Sequence, residues 1–222
     1  MTFTAPVLNY AQLAPMLIVL AGALIGVLIE AFAPRASRHT SQLFIAVASL
    51  VAAFAALVRV RNQSSVDAAM GSVGFDGAGV LLQGTILIIA LLSVFLIADQ
   101  ENFTALAAAV PGSSEERESL QLDLRVTEVY PLTLFAVAGM LLFPVSTDLI
   151  TLFVALEMLS LPLYLMAGLS RRRRLMSQES ALKYFLLGAF SSAFFLFGVA
   201  YLYGYSNSVT FAGIQASITG GS

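Results

Sequence analysis

The sequence has 222 residues, of which 59% are hydrophobic and 11% charged, with a net charge of -2 and no cysteine. Soluble domains carry about 25% charged residues, so this composition excludes a soluble enzyme. The balance of 11 Lys and Arg against 13 Asp and Glu excludes a broad basic face for nucleic acid. Without cysteine and with one histidine, we expect these residues to hold no redox centre and no metal site.

Long apolar runs in the sequence predict transmembrane helices. Backbone groups in hydrocarbon must be bonded within their own segment or in a closed barrel, and these runs lack the ten-residue alternation of a barrel. We therefore predict an all-α integral membrane protein with six transmembrane helices. The predicted spans are residues 13–33, 41–58, 79–98, 129–145, 148–169 and 179–203.

The distribution of arginines predicts the orientation of these helices. Four consecutive arginines, residues 171–174, follow the fifth span and are expected on the cytoplasmic side. Alternation then leaves only Arg59 and Arg61 outside, and it places the N-terminus outside as well. We interpret the block as a topology determinant, with an anionic lipid headgroup or a neighbouring subunit as alternative partners. The loop arginines expected on the cytoplasmic side are Arg35, Arg38, Arg117 and Arg125.

Two longer polar segments, residues 62–76 and 99–128, are predicted to lie outside the membrane. The second contains Pro-Gly-Ser-Ser at 111–114, followed by a charged run, which predicts a turn leading into a short surface segment. Neither segment contains a phosphate-binding loop or a Ser/His/Asp constellation. We therefore expect no nucleotide chemistry in this chain.

The fifth predicted span carries an acidic residue near its middle. A carboxylate at that depth costs roughly 3 kcal/mol on insertion scales, and such residues are usually functional. Ser160 and Tyr164 follow Glu157 at i+3 and i+7, on the same helix face. Pro162 removes the hydrogen bond to the Met158 carbonyl and predicts a bend. We predict that Glu157 exchanges protons while Ser160 and Tyr164 orient water; alternatively, Glu157 is a protonated acid that only holds helices together.

The sixth predicted span adds a lysine. Glu179 and Lys183 are separated by four residues and therefore face each other on a helix. Lys183 lies close to the cytoplasmic boundary, where it either extends to the headgroups or forms a buried ammonium that tunes Glu157 electrostatically. Gly188 and Ser192 form a small-xxx-small pair, for which we predict close helix packing and no chemistry.

The residues around Glu157 and Lys183 resemble a known family. Residues 156–164 read Leu-Glu-Met-Leu-Ser-Leu-Pro-Leu-Tyr, and residues 181–189 read Ala-Leu-Lys-Tyr-Phe-Leu-Leu-Gly-Ala. Both stretches resemble the antiporter-like subunits of proton-translocating NADH–quinone oxidoreductases, which are known as respiratory complex I. These residues resemble the subunit N family more closely than subunits L and M or the Mrp antiporters. The match is specific from about residue 127 to 204, and topology alone supports it over the first three helices.

This resemblance implies a role in proton translocation coupled to quinone reduction by NADH, with Glu157 and Lys183 transferring protons and Glu179 as a supporting polar residue. NADH, FMN, iron–sulfur clusters and quinone would be bound by partner subunits and none by this chain. The expected partners are lipids and other membrane and peripheral subunits of complex I, especially neighbouring antiporter-like and small membrane subunits. The expected location is the bacterial cell membrane.

The resemblance also implies a division of the chain. Residues 1–128 would form three N-terminal transmembrane helices with their loops. Residues 129–222 would form the first part of the proton-translocation domain, in which helices four to six start an antiporter-like inverted repeat. Family members have two such repeats, so the chain is expected to cover only the N-terminal part, ending in a loop at 218–222.

Two other functions remain open from the sequence. One is an Mrp-type monovalent cation/proton antiporter subunit, which would transport sodium without a quinone-linked partner. The other is a non-catalytic membrane scaffold, in which Glu157 and Lys183 only hold helices together. Substitution of Glu157 separates the scaffold from the oxidoreductase subunit, because a scaffold variant would lose stability and keep coupled pumping.

Overall fold

The computed structural model describes residues 8–61, 68–99, 113–114, 127–169 and 174–220. Several predicted features lie outside the described residues. They are the start of the predicted turn at 111–112, Arg117, Arg125 and the arginines at 171–173.

The described residues form seven α-helices, and each of the first six overlaps one of the six predicted spans. A short 3-10 turn, Phe143–Val145, extends the fourth helix. The helices are α1 Tyr10–Phe32, α2 Arg35–Val60, α3 Gly77–Ala98, α4 Val129–Leu142, α5 Leu149–Leu169, α6 Arg174–Ser206 and α7 Phe211–Thr219.

Five of the described helices, α1, α2, α3, α5 and α6, are long and apolar enough to cross a membrane. The α4 segment, Val129–Val145, is a shorter apolar helix. The prediction of an all-helical integral membrane protein is therefore confirmed. The count of six transmembrane helices stays a prediction, because the length of α4 alone does not decide whether it crosses.

The boundaries of three predicted segments are wrong. Arg35 and Arg38 lie in the first turns of α2 and not in a loop, because the chain re-enters a helix directly after Pro34. Arg174 begins α6, so Glu179 lies in the second turn of that helix. The predicted loop at 218–222 is also wrong at its start, since Ile218 and Thr219 are the last residues of α7.

The hydrophobic core lies between α1, α2, α3 and α4. Its fully buried leucines come from three of these helices, with Leu50 on α2, Leu87 on α3, and Leu134 and Leu141 on α4. The short helix α4 lies at the centre, in contact with α1, α2, α3 and α5. Because a buried helix needs no polar face, this position explains why α4 is apolar all round.

Three isolated bridges connect the loops at one end of the helices, which we call the bridge face: residues 8–9, 68–76, 143–149 and 206–211. Segment 68–76, predicted only as extramembrane, packs onto the bundle there, and its Val73 and Phe75 side chains are buried. Asp148 caps α5 by accepting from the Thr151 amide at 2.7 Å. The bridges are Leu8–Ala69, Val73–Ser146 and Asp148–Thr210.

The opposite end of the helices is the arginine face, which we define by residues 33–38, 99, 127–129, 169 and 174. Helices α1, α3 and α5 end at this face, and α2, α4 and α6 begin there. The six helices therefore alternate in direction, as the predicted topology requires. The structure contains no membrane, so the side of the membrane on which each face lies stays a prediction.

Candidate functional site

Helices α5 and α6 pack in an antiparallel register that is visible at both ends of their contact. Near the bridge face, the rings of Phe153 and Phe195 stack with centroids 5.9 Å apart. Near the arginine face, an added Cβ at Gly168 would lie 3.4 Å from the Ala181 side chain. Between these contacts lie Glu157 and Tyr164, two of the residues that the sequence singled out on α5, and both contact α6.

Glu157 lies at the middle of α5 and hydrogen-bonds across the interface to α6. The Ser192 hydroxyl donates to Oε1 of the Glu157 carboxylate. Ser192 itself lies near the middle of the apolar span Ser177–Ser206, so both groups are at the depth farthest from either helix end. Ser192 therefore makes a polar contact across the interface, which the prediction of close packing at Gly188 and Ser192 did not include.

Tyr164 faces α6 as well, about one helical turn nearer the arginine face than Ser160. Its ring makes edge contacts with Tyr184 and Phe185, at centroid distances of 4.6 Å and 5.9 Å. Its hydroxyl occupies the space where Gly188 would otherwise carry a Cβ, only 1.8 Å from that ideal position. Gly188 thus provides the close packing predicted for it, because any side chain there would displace Tyr164.

Ser160 has a different role in the structure from Glu157 and Tyr164. Its hydroxyl donates to the Leu156 carbonyl at 2.7 Å, so its proton is taken by its own helix. Helix α5 continues through the buried Pro162 without interruption. Only the acceptor lone pairs of Ser160 are left for water.

Lys183 forms an ion pair with Glu179 on the same helix, as the i,i+4 spacing predicts. Both side chains are exposed, at 72% for Lys183 and 63% for Glu179, so Lys183 is not a buried ammonium in this structure. Ser192 marks the level of Glu157 on α6, and Lys183 precedes it by nine residues, or roughly 13 Å of helix. Among the described residues, Glu157 and Lys183 share no hydrogen bond or ion pair.

A glycine that sequence reasoning missed holds α5 in place behind Glu157. An added Cβ at Gly139 of α4 would lie 2.5 Å from the Leu159 amide nitrogen and 2.9 Å from the Ala155 carbonyl oxygen. These are backbone atoms of α5 on either side of Glu157, and they cannot rotate away. The sequence signal was a glycine within the apolar run of α4, which by itself does not reveal its neighbour.

A second polar cluster, also missed, lies at the arginine face. The Glu30 carboxylate accepts hydrogen bonds from Arg38 Nη1 at 2.8 Å and from Gln42 Nε2 at 3.0 Å. The Thr127 hydroxyl donates a third at 2.7 Å. These bonds join α1, α2 and the residue that leads into α4, so we interpret the cluster as a structural clamp. Its sequence signal was a single acid inside the first apolar run.

The described residues offer no evident place for a metal ion. Within the ranges that the structure covers, no group of three or more His, Cys, Asp and Glu side chains could hold one. The chemistry of the site comes from one carboxyl group and hydroxyl groups at mid-span. Such groups exchange protons and orient water.

The helical fold and a mid-span carboxylate bonded across two helices define a polytopic membrane protein with an ionisable group in its helix interface. A family model described as "NADH:quinone oxidoreductase/Mrp antiporter, TM" matches residues 146–221, which include α5, α6 and α7. The match therefore covers Glu157, Lys183 and Ser192. The match begins ten residues before the 156–164 stretch that carries the resemblance.

The chain is similar over nearly its whole length to subunit N of NADH–quinone oxidoreductases. It is 47% identical to subunit N 3 of Streptomyces griseus, over 99% of this chain and 42% of that protein. It is 52% identical to subunit N of Acidothermus cellulolyticus, over 97% of this chain and 42% of that protein. The predicted resemblance is thus confirmed, and it extends across the first three helices. The chain spans about two fifths of the length of these curated relatives.

Two solved structures share the fold. One is respiratory complex I from Thermus thermophilus with bound aureothin, matched with a TM-score of 0.65 and 29% identity over 88% of this chain and 38% of that chain. The other is an archaeal membrane-bound sulfane sulfur reductase, with a TM-score of 0.64 and 20% identity over 93% of this chain and 39% of that chain. The second likeness concerns the fold alone.

Proposed function

We propose that this chain forms part of a membrane subunit of an NADH–quinone oxidoreductase and contributes to proton translocation coupled to quinone reduction by NADH. The observation that carries the proposal is the Glu157 carboxylate, bonded to Ser192 at mid-span. It occurs in a chain that is 47% identical to a subunit N relative over 99% of its length. An acid at that depth is costly to insert, so a functional reason for it is expected.

The hydrogen bond to Ser192 suits a proton-exchanging acid. An ionised carboxylate only accepts hydrogen bonds, whereas a protonated carboxyl also donates one. A serine hydroxyl can do either, because its O–H bond rotates. Ser192 therefore keeps a hydrogen bond to Glu157 in both protonation states, and the proton of Glu157 moves to or from a neighbouring water.

The remaining site residues have supporting roles in this proposal. Tyr164 restricts the approach of α5 to α6 through its contact with Gly188. Ser160 would accept a hydrogen bond from a water through its free lone pairs and so orient it. Lys183, with Glu179, lies between Glu157 and the arginine face. We propose that protons pass this ion pair on their way to or from Glu157, and that Lys183 influences Glu157 through its charge.

The wider assignments follow from the same proposal. Residues 1–128 form an N-terminal part, and residues 129–222 begin an antiporter-like repeat with all six helices crossing the membrane. The N-terminus and the bridge face lie outside, and the arginine face lies in the cytoplasm of a bacterial cell. The partners are neighbouring antiporter-like, small membrane and peripheral subunits of complex I, which bind NADH, FMN, iron–sulfur clusters and quinone.

The experiment is NADH-driven acidification of inverted membrane vesicles, with Glu157→Gln introduced into the full-length gene. The matched control is Glu30→Gln, which makes the same change in the structural clamp. At equal amounts of assembled complex, we expect Glu157→Gln to abolish most of the proton gradient and Glu30→Gln to keep it. An unchanged gradient in Glu157→Gln would instead leave Glu157 as a structural acid and favour a scaffold role.

A second candidate is an Mrp-type monovalent cation/proton antiporter subunit, because the matching family description includes Mrp antiporters. The same vesicles separate the two functions. A gradient that depends on NADH and quinone, and not on sodium, supports the oxidoreductase. Sodium-dependent proton movement without NADH would support the antiporter.

A further inference from the structure

An open apolar groove of about 300 Å³ runs between α2 and α3 on the outer surface of the bundle, away from Glu157. It ends at the bridge face, where Arg61 follows the last residue of α2. Gly84 forms its floor, since an added Cβ there would meet only the Leu57 side chain, at 3.7 Å. The residues that line the groove are Phe54, Leu57, Val58, Arg61, Val80, Leu81, Gly84, Thr85 and Ile88.

The lining of this groove changes from apolar to cationic along its length. Below Arg61 the only polar side chain is that of Thr85, and its hydroxyl donates to the Leu81 carbonyl of its own helix at 2.9 Å. The depth from Arg61 to Phe54 is seven residues of helix, or roughly 10 Å. Half of a bilayer's hydrocarbon core is about 15 Å thick, so the groove lies within one leaflet. Arg61 is then at headgroup level.

Arg61 lacks a protein anion in the part of the chain that the structure describes. The ion pairs there are Arg38–Glu30 and Lys183–Glu179. Asp76, the nearby acid at the start of α3, accepts from the Gly79 amide at 2.6 Å as a helix cap. A guanidinium binds phosphate oxygens with two parallel hydrogen bonds, so an anionic headgroup is the partner that its chemistry fits.

We propose that this groove binds one anionic phospholipid. An acyl chain lies along Gly84 between the two helices, and the headgroup phosphate pairs with Arg61. Below Arg61 the groove is lined almost entirely by apolar side chains, and a single guanidinium lies at its headgroup end, so its charge pattern matches an acyl chain attached to a phosphate. The site is independent of the proton-exchanging carboxylate.

The test is native mass spectrometry of the full-length protein in its purified assembly, after reconstitution in phosphatidylcholine with or without phosphatidylglycerol. The wild type is expected to retain a phosphatidylglycerol that Arg61→Gln binds about fivefold more weakly, the contribution of one surface arginine to binding anionic lipid. Gly84→Leu fills the floor without a backbone clash and is expected to lose the same lipid. Arg59→Gln removes a neighbouring exposed arginine that does not line the groove, and is expected to retain it.

Three results would overturn the proposal. Equal losses in Arg59→Gln and Arg61→Gln would mean diffuse surface charge, and unchanged retention in Gly84→Leu would mean that no acyl chain lies in the groove. A photocrosslinker at the exposed Leu81 that captures a neighbouring subunit and no lipid would mean that protein covers this surface. Equal assembly of all variants, checked on native gels, shows that any loss is not misfolding.

Discussion

The α1–α4 bundle and the α5–α6 pair are built in different ways. Most buried hydrophobic side chains lie on α1 to α4 and in the segments that close the bundle. Helix α5 buries only Leu149, Ala155 and Pro162, and Val199 is the one buried residue among the described side chains of α6. In a membrane, exposed apolar side chains meet lipid that is as apolar as leucine. The difference between the regions is therefore one of packing and not of hydrophobicity: the proton-exchanging residues that we propose lie in the less constrained pair.

The join between the two regions is the first place to break this arrangement. Gly139→Leu would force a side chain into the α5 backbone beside Glu157, and overpacking of this kind costs about 1–3 kcal/mol or more. We expect little assembled protein in the membrane, measured by blue native gels. Gly198→Leu is the control, because an added Cβ there meets nothing within 4 Å. Normal assembly of Gly139→Leu would show that α4 and α5 can separate.

The contrast in packing itself is tested by two matched truncations. Leu134 is buried in α4 and Leu186 is exposed on α6. Leu134→Ala leaves a cavity and is expected to lower the free energy of unfolding by about 2–4 kcal/mol. Leu186→Ala is expected to lower it by less than about 0.5 kcal/mol. Unfolding in mixed micelles measures both, and equal losses would contradict the division into two regions.

The cross-helix hydrogen bond sharpens the comparison, because it should matter for transport and not for assembly. Ser192→Ala removes one hydrogen bond, of about 1 kcal/mol, and is expected to slow proton translocation about fivefold. Ser192→Thr keeps the hydroxyl and should restore the rate. The control is Ser191→Ala on the adjacent exposed residue. Vesicle acidification measures all three, and a Ser192→Ala variant with normal translocation would remove the hydrogen bond from the mechanism.

The smallest effect is expected at the exposed ion pair. Glu179→Gln removes the partner of Lys183, whose side chain is already exposed. Exposed ion pairs with i,i+4 spacing on a helix contribute about 0.5 kcal/mol to stability. The free energy of unfolding in micelles should change by no more than that. A larger loss in the full-length protein would mean that the pair is covered by another part of the assembly.

The sequence predicted what depends on one helix at a time. The lengths of the apolar runs located α1 to α6. The position of Glu157 in the middle of the fifth run marked it as a candidate site residue. The i,i+4 rule predicted the Glu179–Lys183 pair. None of these predictions depends on which helices are neighbours.

The features that the sequence did not predict are contacts between helices. A serine on α6 and a glycine on α4 carry no mark of their neighbours, so the partners of Ser192 and Gly139 are visible only when α4, α5 and α6 are assembled. Glu30 was overlooked because its run met the criterion for a span despite the charge. Helix α7 was missed because its nine residues are too short for a periodic pattern to stand out.

The bridges at the bridge face can form only in a certain order during synthesis. Each joins segments that are far apart in the chain: Leu8 with Ala69, Val73 with Ser146, and Asp148 with Thr210. A ribosome delivers the chain from its N-terminus, so each pairing waits for its later member. The backbone of Leu149, which donates to the Val209 carbonyl at 2.9 Å, has that partner only after α6 has been inserted. The start of α5 is therefore secured last, after the bundle beside it.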